Sequence, residues 1–365
     1  MSGIDMLPST VLLAATLPAA DGGFGGAPLW FWVAFNSFIL VVLLFDLGVL
    51  TKRDRPIPVN EALWRSFAFF VMAMIFAAGV FTLYGNTPEE RSRAGLEFLT
   101  GYLIEWSLSV DNIFVFVLLF THFQVPPAYQ HRVLFWGIIG ALVMRGVMIF
   151  AGTALLQNFD WIMIVFGLFL IYSGFKMIKA VDAKPDLENN PVLRFMKARY
   201  RVTDGYRGDS FFVREKGLLH MTPLFLVLVL IELTDLVFAL DSIPAIFAIT
   251  KDPFIVYTAN VFAILGLRAM YFALAGVVHR FHYLKYGLSI VLMIVGAKML
   301  ANYWAGGKAV PVEYALALTV LIIGGSIVLS LVRTRGQPAT VAADHAMSGW
   351  VPLSPARPDE DRRDK

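Results

Sequence analysis

A chain of 365 residues with 58% hydrophobic and only 16% charged residues carries too little charge for a soluble protein of this size. The formal net charge of +3 is too small to mark a nucleic-acid surface, and the lysines and arginines sit mostly between apolar blocks. With no cysteine, the chain has no disulfide, thiolate metal site or thiol redox chemistry of its own.

The apolar blocks reach about 20 residues or more, enough to cross roughly 30 Å of hydrocarbon. Residues 1–28 hold the short apolar stretch "LPSTVLLAATLPAA", which no Lys or Arg precedes. The basic leader region of a signal peptide is therefore missing, and the segment reads as a non-cleaved, extracytoplasmic N-terminus. Nine transmembrane helices are expected next, at 29–50, 64–84, 96–120, 132–155, 158–178, 218–246, 254–277, 283–303 and 312–332. The fold class is all-α, a polytopic membrane protein.

Between these spans, basic residues alternate from side to side. One side takes Lys52, Arg53, Arg55, Arg65 and Arg132, then nine Lys or Arg in 179–216, then Arg280, Lys285, Arg333 and Arg335. The other side takes Arg91, Arg93, Lys251 and Lys308. The positive-inside bias puts the N-terminus outside and the C-terminus in the cytoplasm, as for a multi-pass protein of the inner (cytoplasmic) membrane. Residues 179–216 read as a solvated cytoplasmic linker with a short amphipathic helix near "VLRFMKARY". Residues 334–365, rich in Pro, Ala, Asp and Arg, read as a disordered tail.

The chain repeats itself. "IEWSLSVDNI" at 104–113 aligns with "TDLVFALDSI" at 234–243, so Glu105 matches Asp235, Asp111 matches Asp241 and Asn112 matches Ser242. "MRGVMIFAG" from 144 matches "LRAMYFALAG" from 267, pairing Arg145 with Arg268. "GFKMIKA" from 174 matches "GAKMLAN" from 296, pairing Lys176 with Lys298. A three-span unit (96–178) thus recurs (218–303). An odd number of spans reverses the copy in the membrane, the inverted repeat of many secondary transporters.

Near mid-depth lie Glu105, Asp111, Glu232, Asp235 and Asp241, against Arg145 and Arg268. Each such charge costs on the order of 2.5–3.5 kcal/mol at a helix centre. Two arginines neutralise two carboxylates, so the remaining acids call for protons or a bound cation. Divalent Mn²⁺, Mg²⁺ or Ca²⁺ would offset two charges at once. Such ions prefer carboxylate, amide and hydroxyl oxygens, the groups of Glu105, Asp111, Asn112, Asp235, Asp241 and Ser242. The six-residue gap within each acid pair turns a helix by about 600°, so the two acids sit about 120° apart. A site shared by spans three and six is therefore expected, with Arg145, Arg268 and Glu232 pairing charge or gating. Pro244 frees the carbonyl of Leu240, and the long run 218–250 suggests a kink there. Lys176 and Lys298 are expected to snorkel, and His122, His131, His220, His279 and His282 to be interfacial. Asp46, near the end of span one, is expected to be structural.

"EWSLSVDN" and "LTDLVFALDSIPA", with "RPIPVNEALWRS" after the first span, resemble the TerC family of integral membrane proteins, over roughly 29–333. That family is named for tellurium resistance and belongs to the LysE-type transporter superfamily. The resemblance implies manganese export and protection from metal or tellurite stress. It implicates Glu105, Asp111, Asn112, Asp235, Asp241 and Ser242, with Mn²⁺ as transported substrate and no permanently bound cofactor. The partners expected are the lipid bilayer and a metal ion, with no nucleic acid, and an oligomer or membrane partner is left open. A pocket this acidic does not suit tellurite itself, an oxyanion.

Two other functions compete. A membrane-embedded aspartyl protease would carry a Gly-x-Gly-Asp signature, which is absent, so no enzyme is expected. A non-transporting membrane partner in tellurite or metal stress resistance, or in a metallation complex, would move no ion.

Overall fold

The computed structural model describes residues 27–48, 59–180, 191–215, 217–275, 281, 283–306 and 311–333. The expectations for the first 26 residues, the tail 334–365, Lys52, Arg53, Arg55, Arg280, Lys308, His279 and His282 lie outside the described residues, as does the side chain of Asp46.

Two compact units are distinguished. In the first, helix α1 (Leu29–Gly48) sets Phe31, Trp32 and Phe35 edge-on around Phe254, with ring centroids 5.7, 5.1 and 6.0 Å away.

The second unit carries the rest. Its helices are α2 (Val59–Leu83), α3 (Pro88–His122), α4 (Pro127–Asn158), α5 (Ile162–Ala180) and α6 (Pro191–Arg199). After strands β1 (Phe212–Glu215) and β2 (Leu218–Met221) come α7 (Pro223–Phe247), α8 (Pro253–Leu274, whose first two residues belong to the first unit), α9 (Leu284–Trp304) and α10 (Val312–Arg333). Eight of these helices are long and apolar enough to cross a membrane.

Local sequence sets the helix starts. Pro88 occupies the first turn of α3, where a missing N–H costs nothing. Thr87 caps that turn: its hydroxyl accepts from the Glu90 N–H at 3.2 Å, and Glu90 returns a carboxylate to the Asn86 and Thr87 N–H groups. With 35 residues, α3 extends about 52 Å, well past the hydrocarbon.

Residues 191–222 hold more structure than a solvated linker. The expected amphipathic helix is α6, which buries Leu193 and Met196. The β1–β2 hairpin pairs Phe212 with Met221 and Glu215 with Leu218. It takes residues 218–221 away from the expected sixth span, which starts instead at Pro223. The length of the apolar run therefore reflects a strand plus a helix, and it no longer argues for a kink. Pro244 lies inside α7, which continues to Phe247. Tyr206 ties the segment to α3 by donating its hydroxyl to the Phe123 carbonyl at 2.6 Å. Burial pushes that phenol up to about 12, so it stays a donor at any ordinary pH.

The repeat is visible in the packing. Helix α3 packs against its copy α7, and α5 against its copy α9. At the α5–α9 crossing a Cβ on Gly296 would meet the Gly167 carbonyl oxygen at 2.7 Å, and one on Gly174 would meet the Ser289 carbonyl at 2.7 Å. Small residues let the two backbones approach this closely. The offset of the repeat there places Gly174 on Gly296 and Gly167 on Ser289. The crossing therefore maps onto itself when the halves are exchanged, as a pseudo-two-fold contact must. It also runs antiparallel, as expected of an inverted copy.

Candidate functional site: a buried charge centre shared by two inverted halves

The two acidic motifs meet where α3 crosses α7. The Asn112 amide of α3 donates to Asp235 Oδ1 of α7 at 3.1 Å. Seven residues away on each helix, Glu105 of α3 and Ser242 of α7 share one donor, Nη1 of Arg145, at 2.6 and 3.5 Å. Seven residues bring a helix almost back to the same face, so each motif offers one acid and one neutral polar group to the crossing.

Arg145 of α4 lies between them. Its guanidinium donates from Nε and Nη2 to both oxygens of Asp235, at 3.2 and 3.0 Å, in addition to Glu105. All three side chains are 0–3% exposed. Arginine suits this place because its planar fork serves two carboxylates at once and stays charged when buried. With both acids ionised the triad carries a formal charge of −1. Glu105 Oε1 and Asn112 Oδ1 are buried without a hydrogen-bond partner, so the centre keeps acceptor capacity in excess of its donors.

The other expected ligands point elsewhere, because 120° of helix rotation separates them from the first set. Asp241 accepts a hydrogen bond from Ser173 of α5 at 2.7 Å, with Lys176 acting on it electrostatically. Asp111 lies 3.5 Å from the Lys285 ammonium of α9, an ion pair without a well-formed hydrogen bond. The six residues thus do not converge on one point. Among the described residues no three His, Asp or Glu side chains stand close enough to hold a metal ion, and the place between Glu105 and Asp235 is taken by a guanidinium.

Glu232 packs its carboxylate onto the α4 backbone at Gly140, where any Cβ would collide with it, and its Oε2 has no hydrogen-bond partner. Arg268, the repeat mate of Arg145, is buried at 4% exposure and donates from Nη2 to His131 Nε2 of α4 at 2.8 Å. Arginine has no acceptor, so that imidazole nitrogen carries no proton. His131 is therefore more than interfacial. Lys176 is exposed, as a snorkelling lysine should be, whereas Lys298 is buried within α9 at 9%.

Sequence reasoning missed Ser173, Gly140 and the role of Lys285. Ser173 is a small polar residue inside an apolar span, which is a readable signal. Lys285 looked like one more topology charge, and nothing in its neighbourhood marks a partner 174 positions earlier in the chain.

The family model for the integral membrane protein TerC family matches residues 90–338. An uncharacterized membrane protein of Myxococcus xanthus is 46% identical over 311 residues, covering 85% of this chain and 95% of its own length. The Escherichia coli K12 protein named "Putative membrane-bound redox modulator Alx" is 48% identical over 279 residues, covering 75% of this chain and 86% of its own. A Rickettsia felis membrane protein is 41% identical over 302 residues, covering 83% and 97%. No solved structure matches the chain.

Proposed function

The chain belongs to the TerC family of integral membrane proteins, and from that premise we propose that it is a secondary transporter that exports a divalent metal cation, best matched by Mn²⁺, in exchange for protons. The observation that carries this reading is the centre itself. Two inverted halves each contribute an acid and a neutral oxygen ligand to one buried point, where the acids outnumber the cation Arg145. A structural ion pair needs one acid per arginine. A second acid with an unpartnered oxygen is what an exchanged cation or proton requires.

The donor set is entirely oxygen: carboxylates, an amide and a hydroxyl. Those are ligands for Mn²⁺, Mg²⁺ and Ca²⁺, and a set without sulfur or imidazole disfavours softer ions. Asp111 and Asp241 flank the centre, one on each side of the crossing along the helices, and would pass the ion to and from it. The reading places the N-terminus outside and the chain in the inner membrane, with no enzymatic step. The word "redox" in the name of the E. coli relative does not translate into thiol chemistry here, because this chain has no cysteine. Metal supply is a route by which a metal exporter would alter cellular redox state.

Asp111→Asn and Asp241→Asn keep shape and remove charge. Expressed in cells that lack manganese export, each is expected to abolish the manganese tolerance that the wild type restores, at equal membrane abundance. Full rescue by both would overturn the assignment. A non-transporting partner would instead keep its effect in cells while moving no ion as a purified protein.

A further inference from the structure

Resting on the transport reading, we propose that Lys285 is a tethered counter-ion: it occupies the Asp111 end of the ion route and must be displaced before a metal cation enters from that side. The Lys285 ammonium lies 3.5 Å from Asp111 Oδ1 and 4.1 Å from the centroid of the Phe114 ring, one turn further along α3. It thus fills the position a mobile cation would take, between a carboxylate and an aromatic face.

Several observations set this pair apart from a packing contact. Lys285 is the second residue of α9, where a positive charge opposes the helix dipole, so helix stability does not explain it. The contact is long, at 3.5 Å, against 2.6 Å for the Arg145–Glu105 pair. It is also less buried: the side chains of Lys285 and Asp111 are 22% and 12% exposed, whereas Arg145, Glu105 and Asp235 are 0–3% exposed.

The other half is built differently. The repeat places Met163 where Lys285 stands, and Asp241 is held by the uncharged Ser173 hydroxyl instead. Asp111 therefore meets an ammonium directly, whereas Asp241 is hydrogen-bonded to a hydroxyl, with Lys176 acting on it electrostatically.

The test uses Lys285→Gln, which keeps the length and removes the charge, and Lys285→Arg, which keeps the charge. In proteoliposomes of defined orientation, Mn²⁺ is presented to either face. Lys285→Gln should lower the KM about three- to tenfold from the Lys285 face alone, with Lys285→Arg close to wild type. An unchanged KM, an increase, or an equal change from both faces would overturn the proposal. A second measurement does not depend on flux. The chain has no cysteine, so Phe114→Cys gives a single thiol beside the pair. A membrane-impermeant alkylating reagent should label it at least about threefold faster when Lys285→Gln is added, and an unchanged rate would contradict the displaceable counter-ion. Absence of flux in the wild type would refute the transport reading, while the labelling rate still decides the role of Lys285.

Discussion

The two halves of this molecule share a plan and differ in its use. In one, α4 lies close along α7, and Arg145 reaches both Asp235 and Glu105. In the other, Arg268 of the mate helix α8 meets His131. Asp241 takes a hydroxyl from α5, whereas Asp111 faces an ammonium from α9. Yet the α5–α9 crossing still maps onto itself when the halves are exchanged. A crossing that keeps the symmetry is thus flanked by charges that are partnered differently on each side.

The comparison breaks most sharply at Arg145. Arg145→Met leaves Glu105 and Asp235 buried without a cation and should destabilise the protein by about 3–5 kcal/mol. Adding Glu105→Gln and Asp235→Asn removes the stranded charge and should recover most of that loss. Thermal unfolding in detergent of the single and triple variants checks both steps, and equal stability of the two would show that the triad is not coupled.

A smaller effect is expected at the shared crossing. Gly296→Val would press a branched side chain onto the Gly167 carbonyl and should cost about 1–3 kcal/mol in the same assay. Gly324→Ala on α10, where a Cβ meets nothing within 4 Å, should change stability by less than about 0.5 kcal/mol. If both behave alike, the close approach of α5 and α9 does not hold the halves together.

Much of the fold was legible because a bilayer leaves a sequence few choices. Apolar runs gave the spans to within a few residues in most cases, and matched polar residues gave the repeat. The start of the sixth span was misplaced because Leu218, Leu219 and Met221 are as apolar as a helix, although they form a strand. Of the candidate site, the sequence pointed to six residues shared between α3 and α7; Glu105, Asn112, Asp235 and Ser242 meet there, whereas Asp111 and Asp241 face other helices. It left open which acids Arg145 would take, since that depends on how closely α4 approaches α7. The partners of Asp111 and Asp241 were hidden for the same reason: Lys285 and Ser173 reach them through tertiary packing, which no local spacing encodes.

The central claim is that the buried centre exchanges a divalent cation for protons. Purified protein in liposomes, loaded with a pH-sensitive dye and challenged in parallel with Mn²⁺, Ca²⁺, Mg²⁺ and Zn²⁺, tests it directly. The account predicts Mn²⁺ flux coupled to opposite proton movement, lost in Glu105→Gln and in Asp235→Asn. Wild-type protein that moves none of these ions, under either a metal or a proton gradient, would contradict it.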